Sequence, residues 1–281
     1  MTARLLEGRP VAEAIWQDVE RRASAFAAAR ARAPTLALVG GADASAAAYA
    51  RQIERQLTRH GVAVLETSFE PARFVASVRA LGAEPSVDGI LVLSPLPEGV
   101  RADQAALAIQ PDKDVDGQHP QNLGLLAQRR PALAPATAAG GIRLLEHYGI
   151  QVRGTRAVVV GRSSVVGMPL ALLLIGADAT VSVCHSRTVD LPRLTREADL
   201  LCVAVGRPHL IGPEHVKPGA VVIDFGTNPT PEGANLGDVQ TDAVGEIAGA
   251  ITPVPGGTGP TTVAVLAEQT VRAAERRVHG G

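Results

Sequence analysis

Cysteine is nearly absent from this chain of 281 residues. Its two cysteines, Cys184 and Cys202, both lie in apolar runs with the composition of buried strands. That number and placement exclude a disulfide framework and a cysteine metal site, and they fit a reducing compartment. The seven histidines are scattered, without the His-x3-His or His-Glu-x2-His spacing of metal ligands. We therefore predict no metal.

Long hydrophobic runs and an excess of either charge are missing as well. The N-terminus has no apolar stretch of signal-peptide length and no segment approaches the length of a membrane span, which predicts a cytoplasmic protein. The composition is 46% hydrophobic and 20% charged, with a formal net charge of −1. A soluble globular protein with that balance has no electrostatic reason to bind nucleic acid or a membrane. This balance favours small-molecule chemistry.

Short β-branched runs alternate with helical patterns, which predicts an α/β fold of parallel strands joined by crossover helices. The length allows two domains, and we place the boundary near residue 140, giving 1–140 and 141–281. A buried strand is expected to begin at residue 156. The other expected strands are 36–39, 62–65 and 89–92 in the first half, and 180–184, 200–204, 220–224 and 248–251 in the second half. The expected helices are 10–30, 45–60, 70–82, 101–109, 140–148 and 261–277, with 111–135 as an ordered loop.

The clearest chemistry lies in residues 156–169, where a buried strand enters a glycine turn that opens a helix. Gly161 allows a sharp bend, and free amides at the start of the helix would offer donors and a positive dipole to a pyrophosphate. Arg162 in the turn, with Ser186 and Arg187 past the next strand, favours NADP over NAD. The Gly-x5-Gly spacing is not the common dinucleotide fingerprint, so a tight connection carrying an exposed arginine is the alternative interpretation.

Three polar clusters in apolar surroundings indicate a second site: residues 45–49, 111–117 and 253–260. Each taken alone is typical of a turn or a rigid connector. Their joint occurrence indicates a pocket.

With these clusters, the chain resembles the bifunctional methylenetetrahydrofolate dehydrogenase/cyclohydrolase family over essentially its whole length. The motifs that carry the resemblance are 111–117 (Pro-Asp-Lys-Asp-Val-Asp-Gly) with His119-Pro120 and Asn122, 160–169, 222–228, 237–239, and 251–260 with Thr262. The resemblance implies an N-terminal folate domain, a C-terminal Rossmann-like domain with NADP, a folate in the cleft between them, and a homodimer. It also implies that the helix at 261–277 packs back on the first domain.

The resemblance further implies roles for individual residues. Tyr49 would stack on the folate, Asp116 would hydrogen-bond the pterin, and the loop with Pro253, Gly256 and Gly257 would border the substrate. A tyrosine face suits a flat heterocycle, and a carboxylate can accept paired N–H bonds from an aminopyrimidinone edge. The residues on the cofactor's side would be Gly161, Arg162, Ser163, Ser186, Arg187, Gly206, Thr227 and Thr262.

Two positions depart from the family pattern. The family has Tyr-x3-Lys on this helix and a glutamine before its Leu-Pro-Leu-Pro run, whereas this chain has Ile53 and Leu93. Lys113 and Lys217 are the only lysines of the sequence, and neither is a ready substitute. Arg51 and Arg55 flank the site but remain protonated, so they cannot act as bases.

The expected activity is therefore NADP-dependent oxidation of methylenetetrahydrofolate, with cyclohydrolase activity lost or strongly reduced. Hydrolysis of the methenyl group needs proton transfer, which isoleucine and leucine cannot provide. Two alternatives stay open: a related NADP-dependent oxidoreductase acting on another cyclic aminal or imine, and a non-catalytic folate- or nucleotide-binding protein.

Overall fold

The computed structural model describes residues 2–40, 44–230 and 232–279, and it has the expected α/β fold. The strands are β1 (Arg4–Leu5), β2 (Thr35–Gly40), β3 (Ala63–Ser68), β4 (Gly89–Val92), β5 (Arg156–Val160), β6 (Thr180–Cys184), β7 (Leu200–Val203), β8 (Val221–Asp224), β9 (Asn228–Pro229), β10 (Asn235–Leu236) and β11 (Ala250–Ile251). The helices are α1 (Gly8–Arg30), α2 (Ala44–Arg59), α3 (Phe74–Ala83), α4 (Ala102–Ala108), α5 (Pro120–Ala127), α6 (Ala136–His147), α7 (Gly167–Gly176), α8 (Leu191–Thr195), α9 (Thr241–Gly245) and α10 (Thr258–His279).

The chain forms two compact units. One contains residues 13–136 and 263–281, and we call it the small-sheet unit. The other contains residues 1–12 and 137–262, and we call it the large-sheet unit. None of the helices in the described ranges is long and apolar enough to span a bilayer.

The small-sheet unit is built on three parallel strands in the order β3-β2-β4. Residues 36–39 of the central strand are fully buried, as expected for a parallel strand covered on both faces. From β2 the chain passes to β3 on one side, and from β3 it crosses to β4 on the other side of β2. Ligands bind at the carboxyl ends of the strands at such a switch point, which here are Gly40, Ser68 and Val92.

Helix α2 packs through one apolar stripe, which consists of Ala46, Ala50, Ile53 and Leu57, all buried. These positions recur at helical spacing, so the stripe forms one face of the helix. On the same sheet, Ala37 and Val39 share a buried cluster with Phe74 and Val78 of α3. Tyr49 lies outside this buried stripe, so its side chain remains accessible.

Residues 120–127 were expected to be loop, and this prediction is wrong because they form α5. The helix begins with Pro120 in its first turn, where a missing N–H costs nothing, and the ring of His119 accepts the amide of Gln121 as a cap. Proline, glycine and asparagine in this stretch imitate the composition of a loop.

The large-sheet unit contains a six-stranded parallel sheet in the order β1-β11-β8-β7-β5-β6. Val160, Val203 and Asp224 lie in register at the ends of β5, β7 and β8. The loops that follow these strands therefore emerge at one edge, which is where a nucleotide site is expected in this kind of sheet.

Candidate functional site

Tyr49 and Asp116 lie near one another in the small-sheet unit. Tyr49 is on α2 with its side chain 40% exposed, and Asp116 is partly buried in the turn that precedes α5. Desolvation of the phenol, with a smaller contribution from the charge of Asp116, raises the pKa of Tyr49 to about 12. The ring therefore stays neutral at physiological pH and offers a flat surface beside a carboxylate.

Two donors hold the carboxylate of Asp116. The side-chain amide of Gln118 donates to Oδ2 at 2.5 Å, and the backbone N–H of Ala136 donates to Oδ1 at 3.2 Å. Desolvation raises the pKa of Asp116 to about 6, although both hydrogen bonds act in the opposite direction. The group is still mostly ionised at neutral pH and can accept hydrogen bonds from a ligand.

A second carboxylate, Asp114, organises this turn. It is fully buried and accepts the backbone N–H groups of Gln118 at 3.1 Å and His119 at 2.7 Å. It also accepts Nδ2 of Asn122 at 2.9 Å. Gly117 has φ +57, and a Cβ there would lie 2.4 Å from the carbonyl carbon of Ala134. The tight turn therefore requires glycine, and it brings Asp116 and Gln118 together.

Ile53 and Leu93 are both buried, with exposed fractions of 0% and 4%. Leu93 lines a cavity of about 170 Å³ at the carboxyl edge of the small sheet. The other lining residues are Gly40, Ala46, Ala47, Ala50, Glu66, Thr67 and Ser68. Hydrocarbon thus forms one wall of this cavity, and Glu66 is the one ionisable residue among those described around it.

Both lysines of the chain already have a polar partner. Lys113 is 1% exposed, and its Nζ donates to the carbonyl of Glu84 at 2.7 Å. Desolvation, followed by the charge of Arg277, lowers the pKa of Lys113. Lys217 belongs to the large-sheet unit, where it pairs with Asp199 at 2.6 Å.

The glycine turn follows β5 as expected. Gly161 has φ +127, and a Cβ there would lie 2.2 Å from the carbonyl oxygen of Ala204, so no other residue fits without a shift. Because β5 and β6 pair in register, the exposed residues Arg162, Ser186 and Arg187 emerge at the same edge of the large sheet. At this edge the backbone of Gly161 packs closely against Ala204, and the guanidinium groups of Arg162 and Arg187 are exposed on neighbouring loops.

The amides at the start of α7 are not free, contrary to the expectation from sequence. The N–H groups of Val166 and Gly167 donate to Oγ of Ser163 at 3.2 and 3.3 Å. The N–H of Met168 donates to the carbonyl of Ser163 at 3.0 Å. Ser163 therefore closes the turn from within, because a serine hydroxyl satisfies the orphan donors of a helix start.

A buried carboxylate holds the loop that follows β7. Asp238 accepts the backbone N–H groups of Val205 at 2.7 Å, Gly206 at 3.0 Å and Arg207 at 2.8 Å. Nδ2 of Asn228 donates to the same carboxylate at 2.9 Å. Three successive amides form a concave anion site, and here the protein's own aspartate fills it. The conformation of the loop carrying Gly206 is thereby set.

Asp224 at the end of β8 holds the neighbouring loop. It is fully buried and accepts the amides of Gly226, Asp238 and Val239. Desolvation raises the pKa of Asp224 to about 6. A Cβ on Gly237 would lie 2.1 Å from Oδ2 of Asp224, so the 237–239 segment needs its glycine. Thr227 follows this network and is exposed.

The remaining residues expected in the site belong to the loop after β11 and to the start of α10. Pro253, Gly256, Gly257 and Thr262 are all in the large-sheet unit, whereas Tyr49, Asp116, Ile53 and Leu93 are in the small-sheet unit. Gly8 donates to the carbonyl of Gly256 at 2.8 Å, and a Cβ on Gly8 would lie 1.8 Å from the carbonyl oxygen of Gly257. The hydroxyl of Thr262 donates within its helix to the carbonyl of Thr258.

Four residues of these networks have no role predicted from the sequence: Asp114, Gln118, Asp224 and Asp238. The local signal for Asp114 is an aspartate at the start of a glycine turn, a position that often accepts backbone amides. No local signal links Asp238 to an amide more than thirty positions earlier in the chain, as in its bond to Gly206.

A six-stranded parallel sheet with a glycine turn after β5 is typical of the dinucleotide-binding domain of an enzyme. The chain has a second α/β unit besides this one. Residues 6–116 match the catalytic domain of the tetrahydrofolate dehydrogenase/cyclohydrolase family, and residues 135–278 match its NAD(P)-binding domain. The chain belongs to this family, which confirms the resemblance and the expectation of a dinucleotide-binding domain.

Individual relatives are similar to this chain over nearly their full length. The bifunctional protein FolD of Chloroflexus aggregans is 48% identical over 99% of each chain. The crystal structure of the bifunctional FolD enzyme from Campylobacter jejuni has a TM-score of 0.94 and 35% identity, covering 98% of this chain and 99% of that one. The dehydrogenase-cyclohydrolase of Trypanosoma brucei, solved with NADP and an inhibitor, has a TM-score of 0.93 and 33% identity, covering 100% of both chains.

Proposed function

We propose that this chain oxidises methylenetetrahydrofolate to methenyltetrahydrofolate with NADP and has lost most cyclohydrolase activity. The observation that carries the proposal is the burial of Ile53 and Leu93, two hydrocarbon side chains, at the positions where the family pattern has lysine and glutamine. The residues to which the resemblance assigns folate and nucleotide binding, among them Tyr49, Asp116 and Gly161, are present in the sequence.

The arrangement of Tyr49 and Asp116 supports a folate as substrate. A neutral tyrosine ring provides a stacking surface for a flat pterin, and the carboxylate beside it can accept paired N–H bonds from the aminopyrimidinone edge. A substrate with a flat ring and two adjacent N–H donors fits these two groups.

The edge of the large sheet fits NADP. Gly161 lets the backbone come close to a ligand, and the exposed side chains of Arg162, Ser186 and Arg187 suit a ribose phosphate. Because Ser163 and Asp238 satisfy the nearby amides internally, the guanidinium groups rather than free helix amides would carry the charge recognition. When bound, NADP supplies the hydride acceptor.

The oxidation step asks little of the protein beyond positioning. A neighbouring nitrogen lone pair of the substrate assists departure of the hydride from the methylene carbon, so no side chain has to exchange a proton. Tyr49 and Asp116 can hold the ring in place for this step without taking part in it.

Hydrolysis of the methenyl product makes a different demand. Water must be activated and a tetrahedral intermediate resolved by proton transfer, which a placed acid or base accelerates by about 10²–10⁴-fold. Ile53 and Leu93 cannot transfer protons, and Lys113 is bonded to the carbonyl of Glu84. Replacing both polar partners by hydrocarbon keeps the fold, because no buried polar group is left without a partner.

The test uses the purified full chain in two assays. With NADP and methylenetetrahydrofolate, we expect reduction of NADP and accumulation of the methenyl product. When the chain is mixed with methenyltetrahydrofolate without NADP, we expect the absorbance of the methenyl compound to decay little faster than it does in buffer without the chain. Brisk decay that depends on the enzyme would overturn the proposed loss of cyclohydrolase activity, and repeating the assay with Glu66→Gln would show whether that carboxylate supplies the proton transfer. Absence of NADP reduction would overturn the proposed oxidation.

A further inference from the structure

The side chain of Gln118 makes a contact for which neither the motifs nor the proposed reaction accounts. Its Nε2 donates to Oδ2 of Asp116, on the opposite oxygen from the one that accepts the N–H of Ala136. Asp116 and Gln118 also line the same small cavity, of about 40 Å³, together with Asp114, Ser94 and Leu96. Asp116 and Gln118 are thus bonded to each other beside the same cavity.

The donors leave this carboxylate a defined set of acceptor sites. An ionised carboxylate has about four lone-pair positions, two on each oxygen. One donor occupies each oxygen of Asp116, so one position remains on each. Rotation of the carboxylate would break both bonds. A free acceptor position on each oxygen can accept one N–H group each from a ring edge that presents two neighbouring N–H groups.

Gln118 itself is anchored. Its backbone N–H donates to the buried carboxylate of Asp114, which also binds His119 and Asn122. Gly117, at φ +57, turns the chain between Asp116 and Gln118. A fixed backbone on both sides of the turn means that the Gln118 amide reaches Asp116 from a set direction.

We propose that Gln118 is a positioning residue that holds the Asp116 carboxylate ionised and oriented, so that its two remaining lone pairs accept the paired N–H donors of the substrate ring. This inference rests on the proposed function, because it assigns the clamp to recognition of an aminopyrimidinone edge. Gln118 acts through Asp116 and is not itself a catalytic residue.

The test separates loss of the donor from loss of volume. Gln118→Met keeps the length of the side chain and removes the donor, whereas Gln118→Glu keeps the shape and places a second carboxylate beside the first. Gln121→Met is the matched control, because Gln121 is exposed on α5. The pKa of Asp116 is measured in the ligand-free chain by NMR titration of labelled carboxyl carbons, and kcat and kcat/KM for methylenetetrahydrofolate are measured against pH.

In Gln118→Met we expect the titration midpoint of Asp116 to rise by about one pH unit, because the hydrogen bond that stabilised the charged form is gone. A shift of that size lowers kcat/KM about fivefold at pH 6 and about twofold at pH 7, because the ionised fraction falls. The value of kcat at saturating substrate should change little. Gln118→Glu should raise the midpoint further, because like charges disfavour ionisation.

An unshifted midpoint in folded Gln118→Met, or an equal shift in Gln121→Met, would overturn the inference. A shifted midpoint without any change in the pH profile of kcat/KM would overturn the part of it that concerns substrate recognition. The NMR measurement needs no substrate, so it separates the two proposals. A wild-type chain that does not oxidise methylenetetrahydrofolate overturns the proposed function and substrate recognition, while the midpoint still reports on the clamp.

Discussion

Asp238 accepts the backbone N–H of Gly206 at 3.0 Å, so a buried carboxylate fills the amide site in the loop after β7. Asp238→Asn keeps the shape but replaces one acceptor oxygen by a donor facing those amides. We expect a loss of about 1–3 kcal/mol in the free energy of unfolding and weaker NADP binding, because the loop loses its fixed conformation. Denaturant unfolding and calorimetric titration check this. The control is Asp242→Asn, which alters an exposed aspartate in α9, and equal behaviour of the two variants would contradict the assignment.

Gly161 and Gly154 provide a matched pair for the glycine turn. Both have positive φ, at +127 and +78, but a Cβ at Gly161 meets the carbonyl oxygen of Ala204 at 2.2 Å, whereas a Cβ at Gly154 has nothing within 4 Å. Gly154→Ala should cost about 1 kcal/mol through the backbone conformation alone. Gly161→Ala should cost more, because the turn or β7 must also move. Thermal unfolding of the two variants compares them directly, and similar losses would mean that the close approach is unimportant.

Arg162 and Arg187 are expected to discriminate NADP from NAD. Replacing either arginine by alanine should raise the Kd for NADP about tenfold, since a charge-assisted hydrogen bond to a phosphate is lost, while the Kd for NAD should hardly change. Arg153→Ala is the control, because Arg153 is exposed before β5, at the opposite edge, and pairs with Asp178. Titration of the ligand-free chain with each nucleotide measures the effect. A parallel loss of both affinities would instead indicate a general effect on folding.

Ile53→Lys combined with Leu93→Gln should restore hydrolysis of methenyltetrahydrofolate. Each single variant should be less stable than the double variant, because a lone charge or amide at these buried sites lacks its partner. The double-mutant cycle is measured by the decay of methenyltetrahydrofolate and by denaturant unfolding. A folded double variant that binds folate but leaves the methenyl compound intact would contradict the role proposed for these two positions.

Much of the architecture was readable from local pattern. The strand at 89–92 was predicted with its observed bounds, and Gly161 was predicted to sit in a sharp turn, because β-branched runs and glycine turns depend mainly on neighbouring residues. Helix α5 was missed because its start depends on the cap from His119 and on a proline in the first turn, while its composition resembles a loop.

The amides at the start of α7, predicted to be free, donate within the turn. The sequence places Ser163 in the turn, but whether its hydroxyl points to solvent, to a ligand or to Val166 depends on the path of the backbone. In the folded chain the hydroxyl of Ser163 accepts the amide of Val166. The charged groups that remain exposed for a phosphate are therefore the arginines on neighbouring loops.

By itself, the sequence determined the α/β class, the family motifs and the presence of isoleucine at position 53 and leucine at position 93, because residue types and short spacings are properties of the chain alone. Only the tertiary structure decided which donors meet which carboxylates: Gln118 on Asp116, and three successive amides on Asp238. It also decided that β1 completes the large sheet by pairing with β11 from the far end of the chain. Contacts of this kind follow from how the strands and loops pack in space, since no local periodicity brings residues so distant in sequence together.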